Sequence, residues 1–401
     1  MGVDFRRKDK KMNFVNEEKI KKMIGKTKID RVELQDGKIV NIGDMDSLIE
    51  KCIVINNTTP NCYTTNHGQQ FSSLNIKNDG AIHRLKAGWS GYGREYVTLT
   101  TGVCDDQFKN FIGNDVKAYH NQINDIEKLL ENKYQIQADF SKSNIKYIEL
   151  NRTFEINHQF EDYRRVLNLI IAEMPRMNIV STFGRTESND ESNDKFINIS
   201  TYTAWNRRNG TGRAKSFKSI TFYDKKRQLK GAIYLNGEYM RFEIKLAGLS
   251  NIKKAFGTTQ FYKLSDEFID AYFQKKIEEL IIRPISKWKM QRDKYLLKLM
   301  KTEREKDIHN WQVNVLRALN TKENQQNGKP CLLGVGELVE LVDQLKDVKR
   351  KQRVKNTFIT QAHKYEKIFC NHDEEKLIEI IEKLTKKPAE RDSIVAHLKV
   401  A

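Results

Sequence analysis

No run of apolar residues in this chain approaches the roughly 18 that a membrane-spanning helix needs, so no transmembrane segment is expected. The N-terminus, MGVDFRRKDKKMNF, is basic but lacks an apolar core, which argues against a secretory signal. Gly2 is followed by Arg6 where a myristoylation signal places Ser or Thr. A cytoplasmic protein is the resulting expectation. Cysteine is sparse: Cys52, Cys62, Cys104, Cys331 and Cys370 are scattered, with no C-x-x-C pair. That pattern suits reduced thiols better than a disulfide framework or a zinc site. There are only five prolines, and no Walker A sequence, zincin motif, dinucleotide fingerprint or usable internal repeat.

Positive charge is abundant. The 401 residues carry 71 Lys and Arg against 53 Asp and Glu, a formal net charge of +18. The excess recurs in separate segments instead of one tail, which points to a polyanionic partner, with nucleic acid foremost. The length exceeds one ordinary core, so two or three domains are expected.

The pattern along the chain predicts an α+β protein: a central antiparallel sheet packed with helices, followed by a helical C-terminal region. Residues 1–29 form a basic segment, with a helix proposed at 16–24. Residues 30–262 form the α+β domain, 263–320 long basic helices and 321–401 a helical C-terminal domain. Asp36-Gly37 lies between alternating segments and predicts a hairpin. Further strands are expected at 51–56, 71–77 and 96–103, with a loop KAGWSGYGREY between the last two. A helix is expected over 107–134, a strand over 144–154 and a helix over 160–174. The polar stretch 184–194 reads as a mobile loop. Strands are expected at 196–205, 217–225 and 238–246. Pro284 is expected to interrupt a helix, 285–319 to form one long helix, and 321–330 to be a linker.

Three strands carry the chemistry. Side chains on a strand alternate between two faces. In IKYIELNR, Ile148 and Leu150 share one face and Tyr147, Glu149 and Asn151 the other. In SITFYDK, Ile220 and Phe222 oppose Ser219, Thr221, Tyr223 and Lys225. In MRFEIKL, Met240, Phe242, Ile244 and Leu246 oppose Arg241, Glu243 and Lys245. In one sheet, the polar faces make a floor of Glu149, Asn151, Tyr223, Lys225, Arg241 and Glu243. A phosphodiester transesterase needs such a set: a tyrosine, carboxylates for a divalent metal, and cations for phosphate. The same alternation is ordinary for any antiparallel sheet with one wet face.

The stretches YIELNRTFEINHQFEDYRRVLNLI, SITFYDKKRQL and YMRFEIKL occur in the order found in rolling-circle replication initiators. The resemblance is to the filamentous-phage replication protein II/X type and related plasmid Rep families, and it covers roughly residues 70–285. It implies a nickase. Tyr223 would attack one strand at an origin, leaving a 5′-phosphotyrosine link and a free 3′-OH. Glu243 and Glu149 would hold Mg2+ or Mn2+, while Arg241 and Lys225 would contact phosphate. The His-x-His motif of many such enzymes is missing, and His158 stands alone.

Other residues complete the expected interface. Lys226 and Arg227 follow the tyrosine. Lys287, Lys289 and Arg292 lie on the basic helix with Trp288. Lys349, Arg350, Lys351 and Arg353 belong to KRKQRVK. All are expected to meet DNA phosphates, single- or double-stranded, at a replication origin. Trp89, Tyr92 and Arg94 suit either base stacking or loop packing. Tyr234 and Tyr239 are alternative nucleophiles. The stripe Leu338, Leu341, Val342 and Leu345 suits a homodimer or a host factor such as a helicase. The rival readings are a non-enzymatic initiator that binds origin repeats and recruits host proteins, and a DNA-binding transcription factor.

Overall fold

The computed structural model describes residues 13–14, 24–42, 61–64, 70–90, 95–102, 111–174, 198–205, 216–229, 233–234, 236–321, 325–326, 329–330, 334–365 and 372–385. In chain order the strands and helices are β1 (Asn13–Phe14), β2 (Lys28–Gln35), β3 (Lys38–Ile42), β4 (Asn61–Thr64), β5 (Gln70–Asp79), β6 (Ile82–Ser90), β7 (Glu95–Gly102) and α1 (Val116–Tyr134). Then come β8 (Ile136–Asp139), β9 (Asn144–Ile156), α2 (Arg164–Glu173), β10 (Asn198–Trp205), β11 (Ser216–Asp224), α3 (Lys225–Gln228), β12 (Ile233–Tyr234) and β13 (Glu238–Ala247). Among the described residues beyond β13, the elements are helices apart from two short strands: α4 (Leu249–Phe256), α5 (Asp266–Ile277), α6 (Arg283–Lys306), α7 (Trp311–Thr321), β14 (Gln325–Gln326), β15 (Lys329–Pro330), α8 (Val335–Gln344), α9 (Lys351–Ala362) and α10 (Asp373–Leu384). The fold is the expected α+β one.

Nine strands form one sheet in the order β10-β11-β13-β9-β2-β7-β6-β5-β4. On one face, Val32 pairs with Ile148 and Thr101, Ile29 pairs with Leu150, and all are buried. The helix α1 lies on this side. Asp115 caps it, accepting from the Ala118 N–H at 2.7 Å. Gln122 reaches from it to the Gly102 carbonyl at 2.8 Å, and the Tyr119 hydroxyl donates to the Asp30 carbonyl at 2.7 Å. Arg152 also falls on this apolar face. It is fully buried, donates to Thr27, pairs with Asp270 at 3.3 Å and sits 4.9 Å from the Phe273 ring.

Three irregularities keep the two faces in step across the sheet. Residue Asp30 is extra on β2, Lys146 is extra on β9, and His83 is extra on β6. An extra residue shifts the alternation of the strand that carries it, so the residues beyond it keep the face their neighbours require.

The contacts divide the chain into two compact units, Met1–Glu155 with Tyr202–Phe273, and Ile156–Thr201 with Gln274–Ala401. The second unit is held by its own core. Leu296 and Met300 of α6, Trp311, Val315, Leu316 and Leu319 of α7, Leu338, Leu341, Val342 and Leu345, and Val354 and Phe358 of α9 form one buried cluster. The Leu338–Leu345 stripe is therefore spent inside the unit and is not an open dimer surface.

Other expectations change too. The Asp36-Gly37 turn exists, with Asp36 at φ 62, but it does not close a hairpin. Strand β2 pairs with β7 and β9, whereas β3 pairs with β8 in a separate ribbon. Of the loop expected over 86–96, residues 86–90 and 95–96 are strand, because β6 pairs along its length with β5 and β7, and 91–94 lie outside the described residues. Pro284 does not interrupt a helix. It lies just inside α6, directly after the π-helical turn at Glu278–Ile282 that joins α5 to α6 without a break, the kind of irregular turn that lets a helix run past a proline. The long helix expected over 285–319 breaks at Asp307, whose carboxylate accepts from the His309 and Asn310 N–H groups. The expected strand at 51–56 and loop at 184–194 lie outside the described residues, as does nearly all of the helix proposed at 16–24. Among the described residues no helix is long and apolar enough to cross a membrane.

Candidate functional site

The site lies on the polar face of the sheet, where β11, β13, β9 and β2 are neighbours. Strand β11 pairs antiparallel with β13, with Tyr223 opposite Arg241 and Thr221 opposite Glu243. Gly248, just past β13, donates its N–H to the Lys146 carbonyl at 2.9 Å. Arg241, towards the other end, donates to Thr153 Oγ1 at 2.8 Å, so β13 and β9 run in opposite directions. The floor expected from the sequence is therefore assembled. Its members are covered, however, and not spread on an open surface: Tyr223, Glu243, Glu149, Asn151, Lys225 and Arg241 are all buried.

Tyr223 donates a short hydrogen bond to Glu243 Oε1. Burial raises its phenol pKa well above the ordinary value; Arg241 opposes the shift and Glu243 adds to it. Arg241 also donates to the Phe111 carbonyl and pairs with Asp30 at 3.1 Å, and its Nη1 lies 3.9 Å from Glu243. Lys225 opens α3, the four-residue turn capped by Asp224, whose carboxylate accepts from the Arg227 N–H. Its ammonium lies 5.7 Å from the Tyr223 ring and donates to Gln228 at 2.6 Å. Burial and the nearby Arg241 depress it to about 7.

Lys245 stands between the two glutamates, 3.2 Å from Glu243 and 3.6 Å from Glu149. Burial works against its charge, but the two carboxylates prevail and hold its pKa above the usual value. Glu149 is pushed up by burial and accepts a short bond from the Tyr147 hydroxyl. Among the described residues no group of three or more His, Cys, Asp or Glu side chains is arranged around a common metal position. The donor chemistry still fits a hard cation, which needs only one or two carboxylates besides water and substrate phosphate. Asn151, two residues from Glu149 on the same face, has a buried amide with no hydrogen-bond partner among the described residues. A cation held by Glu149 and Glu243 would have to displace the Lys245 ammonium.

One end of the face is closed by the segment at Phe111–Gly113. Phe111 packs edge-on to Tyr239, with ring centroids 5.0 Å apart. Gly113 has φ 90, and a Cβ there would lie 2.8 Å from Asn151 Nδ2, so only glycine fits without displacement.

Sequence reasoning missed Asp30, which enters the site only through the bulge in β2. It also placed Lys245 on the right face without giving it a role. The remaining cations divide. Lys226 pairs with Glu238 at 3.1 Å and Arg227 with Asp224 at 3.8 Å, both at partly exposed positions. Lys289 and Arg292 do not lie on an outward face. Arg292 is buried against Glu337 at 2.8 Å, Glu374 at 3.3 Å and the Trp288 ring, and Lys289 lies 3.6 Å from Glu374. Lys287, Lys349, Arg350 and Arg353 are less enclosed, and Lys351 donates to the Asp343 carbonyl at 2.6 Å. Tyr239 is buried, while Tyr92, Arg94 and the side chains of Trp89 and Tyr234 lie outside the described residues.

No family model matches the chain, and no curated protein matches it significantly. Among solved structures, the chain is similar to a rolling circle replication initiator protein from Geobacillus stearothermophilus, with 11% identity and a TM-score of 0.27 over 57% of this chain and 76% of that one. It is also similar to the di-domain ARO/CYC BexL of the BE-7585A biosynthetic pathway, with 10% identity and a TM-score of 0.18 over 61% of this chain and 93% of that one. At these scores neither likeness bears on fold or function.

Proposed function

We propose that this chain is a plasmid or phage replication initiator that nicks origin DNA through Tyr223. The observation that carries the reading is the contact of the Tyr223 hydroxyl with the Glu243 carboxylate, beside Arg241 and Lys225. A buried phenol is a poor nucleophile while it keeps its proton. The carboxylate that already accepts the hydrogen bond is the group placed to take that proton. In the step, the Tyr223 oxygen bonds to phosphorus and the P–O3′ bond breaks. The Tyr223 proton passes to Glu243, and the departing 3′-oxygen takes a proton from water. Arg241 and Lys225 offset charge on the phosphate. Glu149 and Glu243 are the residues that would hold Mg2+ or Mn2+, which when bound polarises the scissile phosphate.

A second reading, a non-enzymatic origin-binding initiator that recruits a host helicase, is favoured by the burial of Tyr223 and the satisfied guanidinium of Arg241. Supercoiled plasmid carrying the cognate origin separates the two. The nicking reading expects relaxation by the native protein and none by Tyr223→Phe. The binding reading expects a retarded complex with no relaxed product from either.

A further inference from the structure

We propose a second nucleic-acid site on the sheet, a cationic cleft on the same face as Tyr223 that holds the backbone of the DNA strand running to it. The cleft has a volume of about 150 Å³ and is lined by Glu33, Arg84, Lys86, Thr98, Thr100 and Lys146. The pairing places these side chains together. Glu33 is opposite Tyr147 on one side and Thr100 on the other, Thr100 is opposite Arg84, and Thr98 is opposite Lys86. Tyr147 shares its face with Glu149, so the cleft and the tyrosine site lie on one continuous surface of one unit. The bulge at Lys146 brings that lysine onto this face beside Glu33, at 2.6 Å.

The charge is unbalanced. Three cations meet one carboxylate, and Glu33 is already paired with Lys146. Lys77, opposite Arg84 on β5, adds another cation. Burial and the neighbouring Arg84, Lys146 and Lys77 disfavour the charge on Lys86, so an anion there relieves a repulsion present in the free protein. Threonine hydroxyls supply neutral donors between the cations. Access increases away from the tyrosine: side-chain exposure is 4% at Glu243, 28% at Lys245 and 45% at Lys146. The strand order places β6 five strands from β11, which is roughly 24 Å at about 4.8 Å per strand. At about 3.4 Å per nucleotide that is on the order of seven nucleotides from the scissile bond.

The inference rests on the proposed nicking function only for the direction of the strand; binding can be read independently. The test uses the full chain and fluorescent single-stranded oligonucleotides containing the origin nick site, with anisotropy read across a salt series. The Arg84→Gln/Lys86→Gln variant should bind roughly tenfold more weakly, and its salt slope should fall by about 1.4, the share of two phosphate contacts. The exposed pair Lys117→Gln/Lys128→Gln on α1 removes the same net charge and should leave the slope unchanged. Lys86→Gln alone, with half the effect, guards against a folding defect in the double variant. The difference between native and variant should vanish on oligonucleotides that end within about three nucleotides on both sides of the nick. Equal affinity and slope in native and double variant overturn the cleft, as does an equal loss in the α1 control. A reduced slope in a protein that forms no covalent adduct would leave the cleft standing and remove the nicking reading.

Discussion

Tyr223 and Glu243 meet diagonally across two strands: Tyr223 is paired with Arg241 and Glu243 with Thr221, yet the phenol reaches the carboxylate one step along the same face. The diagonal leaves Arg241 beside both groups. It gives the tyrosine a proton acceptor and a cation on a surface that the backbone pairing fixes.

Replacing Glu243 tests the acceptor. Glu243→Gln keeps the shape and an oxygen at the same place but removes the charge and the basicity. Single-turnover nicking of an oligonucleotide should fall by about 10²–10⁴, the usual share of a general base, with DNA affinity retained. A nicking rate within twofold of native would assign the proton to another group.

Lys225 gives the pH dependence a sign. Its ammonium is depressed to about 7 by burial and Arg241, so the charged form is present below that value and is lost as pH rises through it. If the ammonium meets phosphate, kcat/KM for nicking should decline above about pH 7, since this ratio reports the free enzyme. In Lys225→Arg the decline should disappear, because guanidinium stays charged. An identical break in both proteins would place the titration elsewhere.

Stability of the second unit should depend on Arg292. Arg292→Met removes the guanidinium that Glu337, Glu374 and Asp293 share and leaves Lys289, at 3.9 Å and 3.6 Å, as the cation beside the first two. Removing one partner of a buried pair costs about 3–5 kcal/mol, read as a lower denaturant midpoint. Burial already pushes Glu337 up to about 7, and losing the cation raises it further. A folded carboxyl with a raised pKa contributes stability that is present at low pH and lost as pH rises through the folded value. The deficit should therefore be larger at pH 8 than at pH 5. A pH-independent deficit would show that lost packing against Trp288, not charge, is the cause.

The strands that build the site were legible because apolar and polar residues alternate over 147–151, 219–223 and 240–246. Strands expected at 144–154, 217–225 and 238–246 are observed at Asn144–Ile156, Ser216–Asp224 and Glu238–Ala247, so only Lys225 changes element, from the end of a strand to the start of α3. What alternation cannot show is what lies over a face. The polar floor reads as solvent-exposed, but the Phe111–Gly113 segment covers part of it. Asp30 was hidden because a bulge is set by the partner strand and leaves no local signature. Strand β6 was hidden by its glycine and aromatic residues, which read as a loop until β5 and β7 flank them. Lys289 and Arg292 read as a basic helix surface because two of the three carboxylates that pair with Arg292 lie 45 and 82 residues away.

The central claim is that Tyr223 becomes covalently linked to DNA. The direct measurement is a denaturing gel of the full-length protein with an oligonucleotide labelled 3′ of the nick, followed by mass spectrometry of the tryptic adduct. The account predicts a shifted band in the native protein, the nucleotide mass on the peptide containing Tyr223, and no band in Tyr223→Phe, whose folded core should be unchanged. An adduct of native yield in Tyr223→Phe, or one mapped to another tyrosine, would contradict it.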